Sequence, residues 1–516
     1  MDAMPAAAEL EAVLQLKTVR DATSRAQFLA AIRGLGQEGA DFTVERLDAL
    51  MRVEEHFQAL LLYDQIEFLR QPATISEADR DFALNVQRTC LEAANGFQRF
   101  LRNRGAWATT TAARKMVPRL TGLALNAIHC FVKWSHFLNE AGKATPWKQI
   151  HALYLLAEGE GYAQAPFVLH ESQQAFRASV QALYLRTLVL DLLNSGNLSR
   201  LQVEIADGWF SAWCAYYSLD AEYSPRQHLF FVDVASDSGM HLIGRESHGP
   251  SARYARIDGL KAQIEEVRTG LRHGQLFAGH GAGALFPVEA HVALLAVIEK
   301  LYQSILAGSE NRIEERTAFE DREVEVALGF ERLVRKMLGP PGADGAAPPT
   351  APDAAAPAPG NPATHDPEIE RWRVHDLSSK GFGLVVDRGA ADEVLLNGLV
   401  GLRNHETGGW MVASVVRKLP HRVRGEMLVG VEVLSFRPIA VELHNVKRRE
   451  DAAALYLPGQ DTNGKLDSIL VNATAFGADN LYDLTVGEAA YRIQLNRIIR
   501  KGADWIRARF EIRGKV

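Results

Sequence analysis

The sequence contains few cysteines, no long apolar run and no excess of positive charge. Its three cysteines, Cys90, Cys130 and Cys214, are scattered through apolar segments. This pattern predicts buried free thiols in a reducing compartment, and not a disulfide framework. No stretch of about 18 apolar residues occurs, so we expect no membrane span. The N-terminus lacks a basic segment followed by an apolar one, so we expect no signal peptide and a cytoplasmic protein.

The net charge of −6 over 516 residues disfavours bulk nucleic-acid binding, and we expect no DNA partner. The charge is unevenly distributed. Residues 366–516 contain 22 Lys and Arg against 20 Asp and Glu, which gives +2 and leaves −8 for the rest of the chain. A mildly basic C-terminal part is compatible with a small anionic ligand.

Most of residues 1–308 have the periodicity of amphipathic helices. Leu47, Leu50, Val53 and Phe57, for example, recur at helical spacing. Residues 228–244 differ, because two short strand-like stretches flank a Ser-Asp-Ser-Gly turn. We therefore predict an all-α N-terminal domain that includes a short β-hairpin.

Residues 339–367 have a composition that cannot form a core. They contain nine of the chain's 20 prolines and no aromatic residue, isoleucine, leucine or valine. This composition predicts an extended, mobile linker.

After residue 367 the apolar period changes from that of helices to two. The strand candidates of a first segment, 368–437, are 371–377, 381–386, 394–402, 410–418 and 427–435. A second set of alternating stretches follows in 438–516. Short strands separated by frequent turn residues are typical of small antiparallel barrels. The expected fold is therefore a multidomain chain: an all-α domain followed by two small antiparallel β-barrels.

A polar motif, Asp376-x-Ser378-x-x-Gly381, lies between the first two of these strands. Read locally, it is a turn in which Asp and Ser cap backbone N–H groups and Gly adopts a positive φ. Its setting is more specific, because the strand LVGVEVLSF (428–436) follows GGWMVASVVRKL at the spacing of a barrel.

These features resemble the PilZ domain, a bacterial receptor for cyclic di-GMP that is marked by R-x-x-x-R followed by [D/N]-x-S-x-x-G. The matching arginines are Arg312 and Arg316, and the resemblance covers about 312–338 and 368–436. The segment 309–338 would then hold the arginine arm and the first barrel strand, near Val324-Glu325-Val326, so that the linker interrupts the barrel.

The resemblance implies a ligand site formed by Arg312, Arg316, Asp376, Ser378 and Gly381. Arginine offers a planar fork that matches phosphate oxygens and guanine O6 and N7, and an aspartate accepts hydrogen bonds from guanine N–H groups. Cyclic di-GMP is the expected ligand, with no cofactor, no metal site and no enzymatic activity.

The position of the arginine arm has alternatives. Arg312 and Arg316 also fit a solvated helix face, because Glu314 and Glu315 lie between them. Arg322, Arg371 and Arg373 are reserve candidates, and Arg373 is the one that we include in the expected site. An R-x-R pair on a strand directs both side chains to one face.

Two other functions compete with a receptor. His273 and His280 lie in a glycine-rich segment, but no metalloprotease, hydrolase or dinucleotide motif accompanies them, so an enzyme is disfavoured. The second alternative is a degenerate PilZ-like module that serves as a scaffold and binds no nucleotide. We favour signal transduction: nucleotide binding is relayed to a helical output domain that binds an unidentified protein partner.

Overall fold

The computed structural model describes residues 7–38, 41–70, 75–138, 145–173, 177–193, 198–213, 218–225, 227–243, 249–256, 258–272, 317–338, 368–378, 381–403, 409–421, 423, 425–459, 467–477, 481–486 and 489–515. The chain divides into two compact units, Met1–Ile313 and Glu314–Val516. The proline-rich segment 339–367 lies outside the described residues.

The first unit is mainly helical, as expected. Its helices are α1 (Ala7–Leu14), α2 (Ala22–Gly36), α3 (Val44–Arg70), α4 (Glu77–Arg102), α5 (Arg104–Trp107), α6 (Thr111–Arg114), α7 (Val117–Phe137), α8 (Trp147–Gly159), α9 (Val180–Leu193), α10 (Arg200–Trp213) and α11 (Asp258–Arg272). A 3₁₀ turn spans Glu171–Gln173. The N-cap Ser76 accepts a hydrogen bond from the Asp79 backbone and so fixes the start of α4.

Aromatic packing marks the centre of this unit. The ring of Trp134 lies 5.1 Å from that of Phe68 and 5.4 Å from that of Phe82, and all three side chains are buried. Cys90 and Cys130 are buried free thiols, as expected, while Cys214 lies outside the described residues. Among the described residues, no helix combines the length and the apolar composition needed to cross a membrane.

A buried ion cluster connects α7, α9 and α10. Arg186 donates to both carboxylate oxygens of Asp207, at 2.7 and 2.8 Å, and His129 Nε2 lies 2.8 Å from Oδ1. Lys133 Nζ lies 3.1 Å from Asp207 and 3.0 Å from Glu204. Burial alone would raise the pKa of Asp207, but the charges of Arg186 and Lys133 and the hydrogen bond with His129 hold it well below its usual value. Each buried charge in the cluster therefore has a partner of opposite sign.

The same unit contains more β-structure than the sequence predicts. The expected hairpin is present as β4 (His228–Asp233) and β5 (His241–Leu242). It belongs to a sheet with the order β3–β6–β4–β5, where β3 is Ser218–Asp220 and β6 is Ala252–Arg256. Neither of these two strands is predicted by the sequence, which indicates only the hairpin within a helical domain. Both strands are too short to show an alternating pattern, and their pairing is set by tertiary contacts. A small pair, β1 (Phe167–Val168) and β2 (Arg177–Ala178), completes the described strands of this unit.

The first barrel begins before the proline-rich segment. Its strands are β7 (Thr317–Leu328), β8 (Glu370–Ser378), β9 (Gly381–Asp387), β10 (Leu399–Arg403), β11 (Trp410–Pro420) and β12 (Glu426–Ser435). They close in the order β10–β11–β12–β9–β8–β7, and all of the pairs are antiparallel. Two helices accompany them, α12 (Phe330–Leu338) and α13 (Arg388–Glu393). The chain on both sides of 339–367 thus contributes to one sheet.

The second barrel follows without a helix among its described residues. Its strands are β13 (Ile439–Asn445), β14 (Glu450–Leu457), β15 (Ser468–Asn472), β16 (Leu481–Val486), β17 (Ala489–Lys501) and β18 (Trp505–Lys515). They close in the order β13–β14–β15–β18–β17–β16. The expectation of two antiparallel barrels in series after a helical domain is confirmed.

The two barrels share a hydrophobic core, which we call the barrel interface. It consists of Phe330, Leu333, Val334, Leu399, Val412, Leu434, Leu455, Leu457, Leu470 and Trp505. The turn between β17 and β18 adds polar contacts: Trp505 Nε1 and the Ala503 backbone both donate to the Asn397 carbonyl, at 2.9 and 3.0 Å. Asp504 accepts a hydrogen bond from the Phe330 backbone at 3.1 Å and caps α12. Burial of these apolar side chains fixes the second barrel against the first.

Candidate functional site

A β-bulge at His375 determines where the Asp376 side chain lies. Val374 pairs with Leu384, whereas Asp376 pairs with Gly383, so His375 has no partner on β9. Leu384 faces the barrel core, so the residue before it on β9, Gly383, faces outward. The bulge therefore turns Asp376 from the core side to the outer face of the barrel.

On that face the carboxylate of Asp376 lies over Gly383. A Cβ atom at Gly383 would come within 2.6 Å of Asp376 Oδ1. The side chain is mostly shielded from solvent, and its Oδ2 lies 3.0 Å from Nδ1 of His375. Gly383 thus leaves room for the acid to lie flat against the sheet, a role that its position in the sequence does not reveal.

The same row of the sheet continues onto two further strands. Gly383 pairs with Gly430 on β12, and Gly430 pairs with Arg417 on β11. A Cβ atom at Gly430 would meet the Arg417 side chain at 3.3 to 3.4 Å, so this arginine lies over the second glycine. We call the row Asp376, Gly383, Gly430 and Arg417 the glycine strip.

The glycine strip combines an acid and a base above two glycines. Both glycines are buried, beneath a carboxylate that accepts hydrogen bonds and a guanidinium that donates them in a planar fork. A flat aromatic ring bearing N–H donors at one edge and oxygen or nitrogen acceptors at the other fits such a surface. Arg417 was not recognised in the sequence, because the bulge between Val415 and Arg417 shifts the register that places it there.

The rest of the Asp376-x-Ser378-x-x-Gly381 motif lies one row further along the sheet. Ser378 pairs with Gly381, and Gly381 pairs with Glu432. A Cβ atom at Gly381 would meet the Val431 carbonyl oxygen at 1.9 Å. Close packing of β9 against β12 therefore requires glycine here, independently of any ligand.

Arg373 lies on the other side of the strip. It is half-exposed and forms an ion pair with Glu426. His421 Nδ1 lies 2.9 Å from the other carboxylate oxygen of Glu426, and its ring packs edge-to-face against His375 at 5.7 Å. Arg371 is also exposed, as expected for two arginines that alternate with buried Trp372 on one strand.

The structure brings part of the expected site together. Asp376, Gly381, Arg373 and the backbone of Ser378 occupy neighbouring rows of one face. Arg312 and Arg316 lie outside the described residues, as do His273 and His280. Arg322 is exposed on β7, opposite Val374. Within the described ranges, no group of three or more His, Cys, Asp and Glu side chains is placed to hold a metal ion.

Comparison with known proteins adds evidence from the helical unit. Residues 7–224 match the family model described as the N-terminal domain of the cyclic-di-GMP receptor FimW. No curated protein and no solved structure matches the chain. The predicted likeness to cyclic di-GMP receptors with a helical N-terminal domain is thereby confirmed. It rests on helical residues that the barrel motif does not include, so the two signals are independent.

Proposed function

We propose that the protein is a PilZ-type receptor for cyclic di-GMP. The observation that carries the proposal is the glycine strip, which aligns Asp376 and Arg417 on either side of two paired glycines. The match of residues 7–224 to a cyclic di-GMP receptor family supports the same ligand from another part of the chain. A receptor role requires recognition only, and we propose no enzymatic step.

The proposed recognition divides the ligand between the two ends of the strip. The Asp376 carboxylate accepts hydrogen bonds from the N–H donors of a guanine that lies on the outer face of the barrel between Asp376 and Arg417. Arg417 donates to guanine O6 and N7 or to a phosphate oxygen, both of which suit its planar fork. Adenine lacks guanine's N1–H and N2–H donors and offers only its N6 amino group, which predicts discrimination against cyclic di-AMP.

We further propose that Arg312 and Arg316 grip the phosphates and relay binding to the helical unit. The boundary between the two compact units falls at Ile313 and Glu314, between these arginines. A dianion held by both arginines would restrict this segment of the chain, and the ligand would favour the conformations in which it is restricted. Arg373 is part of the proposed site and would exchange its Glu426 partner for the ligand.

Calorimetric titration of the full chain tests the proposal. Wild-type protein should bind cyclic di-GMP more tightly than cyclic di-AMP or GTP. Asp376→Ala and Arg417→Ala should each weaken binding by about 5- to 150-fold, because a hydrogen bond to a charged group contributes about 1–3 kcal/mol. Arg403→Ala is the matched control, because Arg403 lies on β10 and bonds to Glu325 at 3.2 Å, away from the strip.

The same titration separates the receptor from a scaffold. A wild-type chain that binds none of these nucleotides would refute the receptor and favour the degenerate module. Equal affinities of wild-type and Asp376→Ala protein for cyclic di-GMP would remove the glycine strip from the site, even if the protein binds the nucleotide.

A further inference from the structure

The outer face of β17 and β18 carries four arginines in two directly opposed pairs. Arg497 faces Arg509, and Arg500 faces Arg507. Like charges directly opposite each other on a sheet destabilise it. We call these four residues the arginine block. Such an arrangement becomes favourable when an anion lies between the arginines.

Few counter-charges balance the arginine block. Arg500 Nη1 donates to Glu432 Oε2 on the first barrel at 2.7 Å, and Arg507 Nε donates to the neutral Ser468 hydroxyl at 2.9 Å. In the described part of the chain, Arg497 and Arg509 have no ion pair and no hydrogen bond through their side chains. Burial lowers the pKa of Arg507, and the neighbouring charge of Arg500 lowers it further. The protein therefore neutralises the positive charge of the arginine block only in part.

The block lies next to the motif of the first barrel. Glu432, the partner of Arg500, pairs with Gly381 across β12 and β9. Its row of the sheet adjoins the row that holds Gly383 and Gly430. Packing of Trp505 in the barrel interface holds this part of β18 in place, and the Arg500 guanidinium lies 5.9 Å from the Trp505 ring. One end of the arginine block therefore reaches the edge of the glycine strip.

We propose that the second barrel completes the ligand site, with Arg500 binding a phosphodiester group of the cyclic dinucleotide. Arg497, Arg507 and Arg509 lie behind it and add positive potential. In the ligand-free protein Arg500 is paired with the Glu432 carboxylate, and the nucleotide phosphate replaces this carboxylate on binding. This inference rests on the proposed function, because it assumes that the dinucleotide lies on the glycine strip.

Substitutions in the second barrel, which lies outside the PilZ resemblance, should weaken cyclic di-GMP binding. In calorimetry on the full chain, Arg500→Met should weaken cyclic di-GMP binding about tenfold, and methionine keeps an apolar stem beside Trp505. The double variant Arg497→Ala/Arg509→Ala should weaken it several-fold, because it removes two charges but no direct contact. Arg513→Ala is the matched control. Arg513 lies on β18, as Arg509 does, and bonds to Gln494 and Glu511, so its loss should leave the affinity unchanged.

A variant that should tighten cyclic di-GMP binding separates an effect on binding from an effect on folding. Glu432→Gln removes the competing carboxylate and frees Arg500, so it should tighten cyclic di-GMP binding several-fold. A purely structural Arg500–Glu432 pair predicts instead that both Arg500→Met and Glu432→Gln lower the melting temperature and that neither raises affinity.

The outcomes distinguish this inference from the function on which it rests. If Asp376→Ala loses affinity while Arg500→Met and the double variant bind like wild type, the second barrel is not part of the site and the receptor stands. If wild-type protein binds no cyclic di-GMP, the receptor fails and this inference fails with it. Weaker binding by Arg500→Met together with tighter binding by Glu432→Gln supports the shared site.

Discussion

Asp376 and Gly383 lie opposite each other on β8 and β9, and the aspartate carboxylate fills the space that a side chain at position 383 would need. A Cβ atom there would approach Asp376 Oδ1 to 2.6 Å and Cγ to 2.8 Å. The atoms in conflict belong to a side chain, so the sheet itself need not move. The orientation of Asp376, the proposed ligand-binding acid, therefore depends on a glycine at position 383.

Gly383→Ala should weaken cyclic di-GMP binding with little loss of stability. The added methyl displaces the carboxylate of Asp376, and a misplaced charged hydrogen bond costs about 1–3 kcal/mol, or roughly 5- to 150-fold in affinity. Calorimetry and thermal unfolding measure the two effects separately. Gly389→Ala is the control, because a Cβ at position 389 meets nothing within 4 Å. An unchanged affinity in Gly383→Ala would show that the position of the carboxylate does not matter.

Gly381→Ala should behave in the opposite way, with a large loss of stability even without ligand. Its Cβ would approach the Val431 carbonyl oxygen to 1.9 Å, and this oxygen belongs to the backbone of β12. Relief requires β9 and β12 to separate, and such overpacking typically costs about 1–3 kcal/mol. Amide exchange on β9 and β12 in the ligand-free protein should accelerate. A normally protected pair of strands would contradict the close approach.

The sequence predicts most strands of both barrels and the location of the motif, because alternating residues and turn chemistry are local properties, but it does not predict β13. It does not predict the bulge at His375, and without that bulge Asp376 would face the core. It also misses Arg417, since a bulge on β11 decides which residue lies opposite Gly430. Register shifts of this kind depend on how neighbouring strands twist and pack, and no single strand encodes them.

Asp207→Ala should strongly destabilise the helical unit. It removes the carboxylate that pairs with Arg186, His129 and Lys133 inside the protein. Breaking a buried pair by deleting one partner typically costs about 3–5 kcal/mol, because the remaining charges lose their compensation. Urea unfolding followed by helical circular dichroism reports mainly on this unit. Asp237→Ala is the control: Asp237 is exposed, lies 3.9 Å from Lys148, and should cost less than about 1 kcal/mol.

His136 should make the helical unit less stable in acid. Its side chain is buried on α7, both ring nitrogens lack a hydrogen-bond partner among the described residues, and Nε2 lies 3.7 Å from Asp191. Burial, together with the nearby His129, lowers the pKa of His136 to about 3. The folded state therefore keeps His136 neutral under conditions in which the unfolded chain binds a proton.

Because the folded pKa of His136 is depressed, its contribution to stability is lost as pH falls below the unfolded value of 6.5. At pH 5 this loss amounts to about 2 kcal/mol, at roughly 1.4 kcal/mol per pH unit. His136→Leu removes the loss, so the free energy of unfolding of the variant relative to wild type should rise by about 2 kcal/mol between pH 7.5 and pH 5. Asp191, whose pKa burial raises to about 6, has the opposite pH dependence and lies next to His136, so the comparison is repeated in an Asp191→Asn background.

His170 should show the opposite pH dependence of stability to His136 in urea unfolding. Burial would lower the pKa of His170, but Glu54, 3.1 Å away, overrides this effect and the pKa is raised. The stability that this pair contributes is fully present below pH 6.5 and is lost as pH rises through the folded pKa. His170→Gln should therefore lose stability relative to wild type on acidification, while His136→Leu gains it. Parallel pH profiles for the two variants would show that buried histidines do not control the acid response of the helical unit.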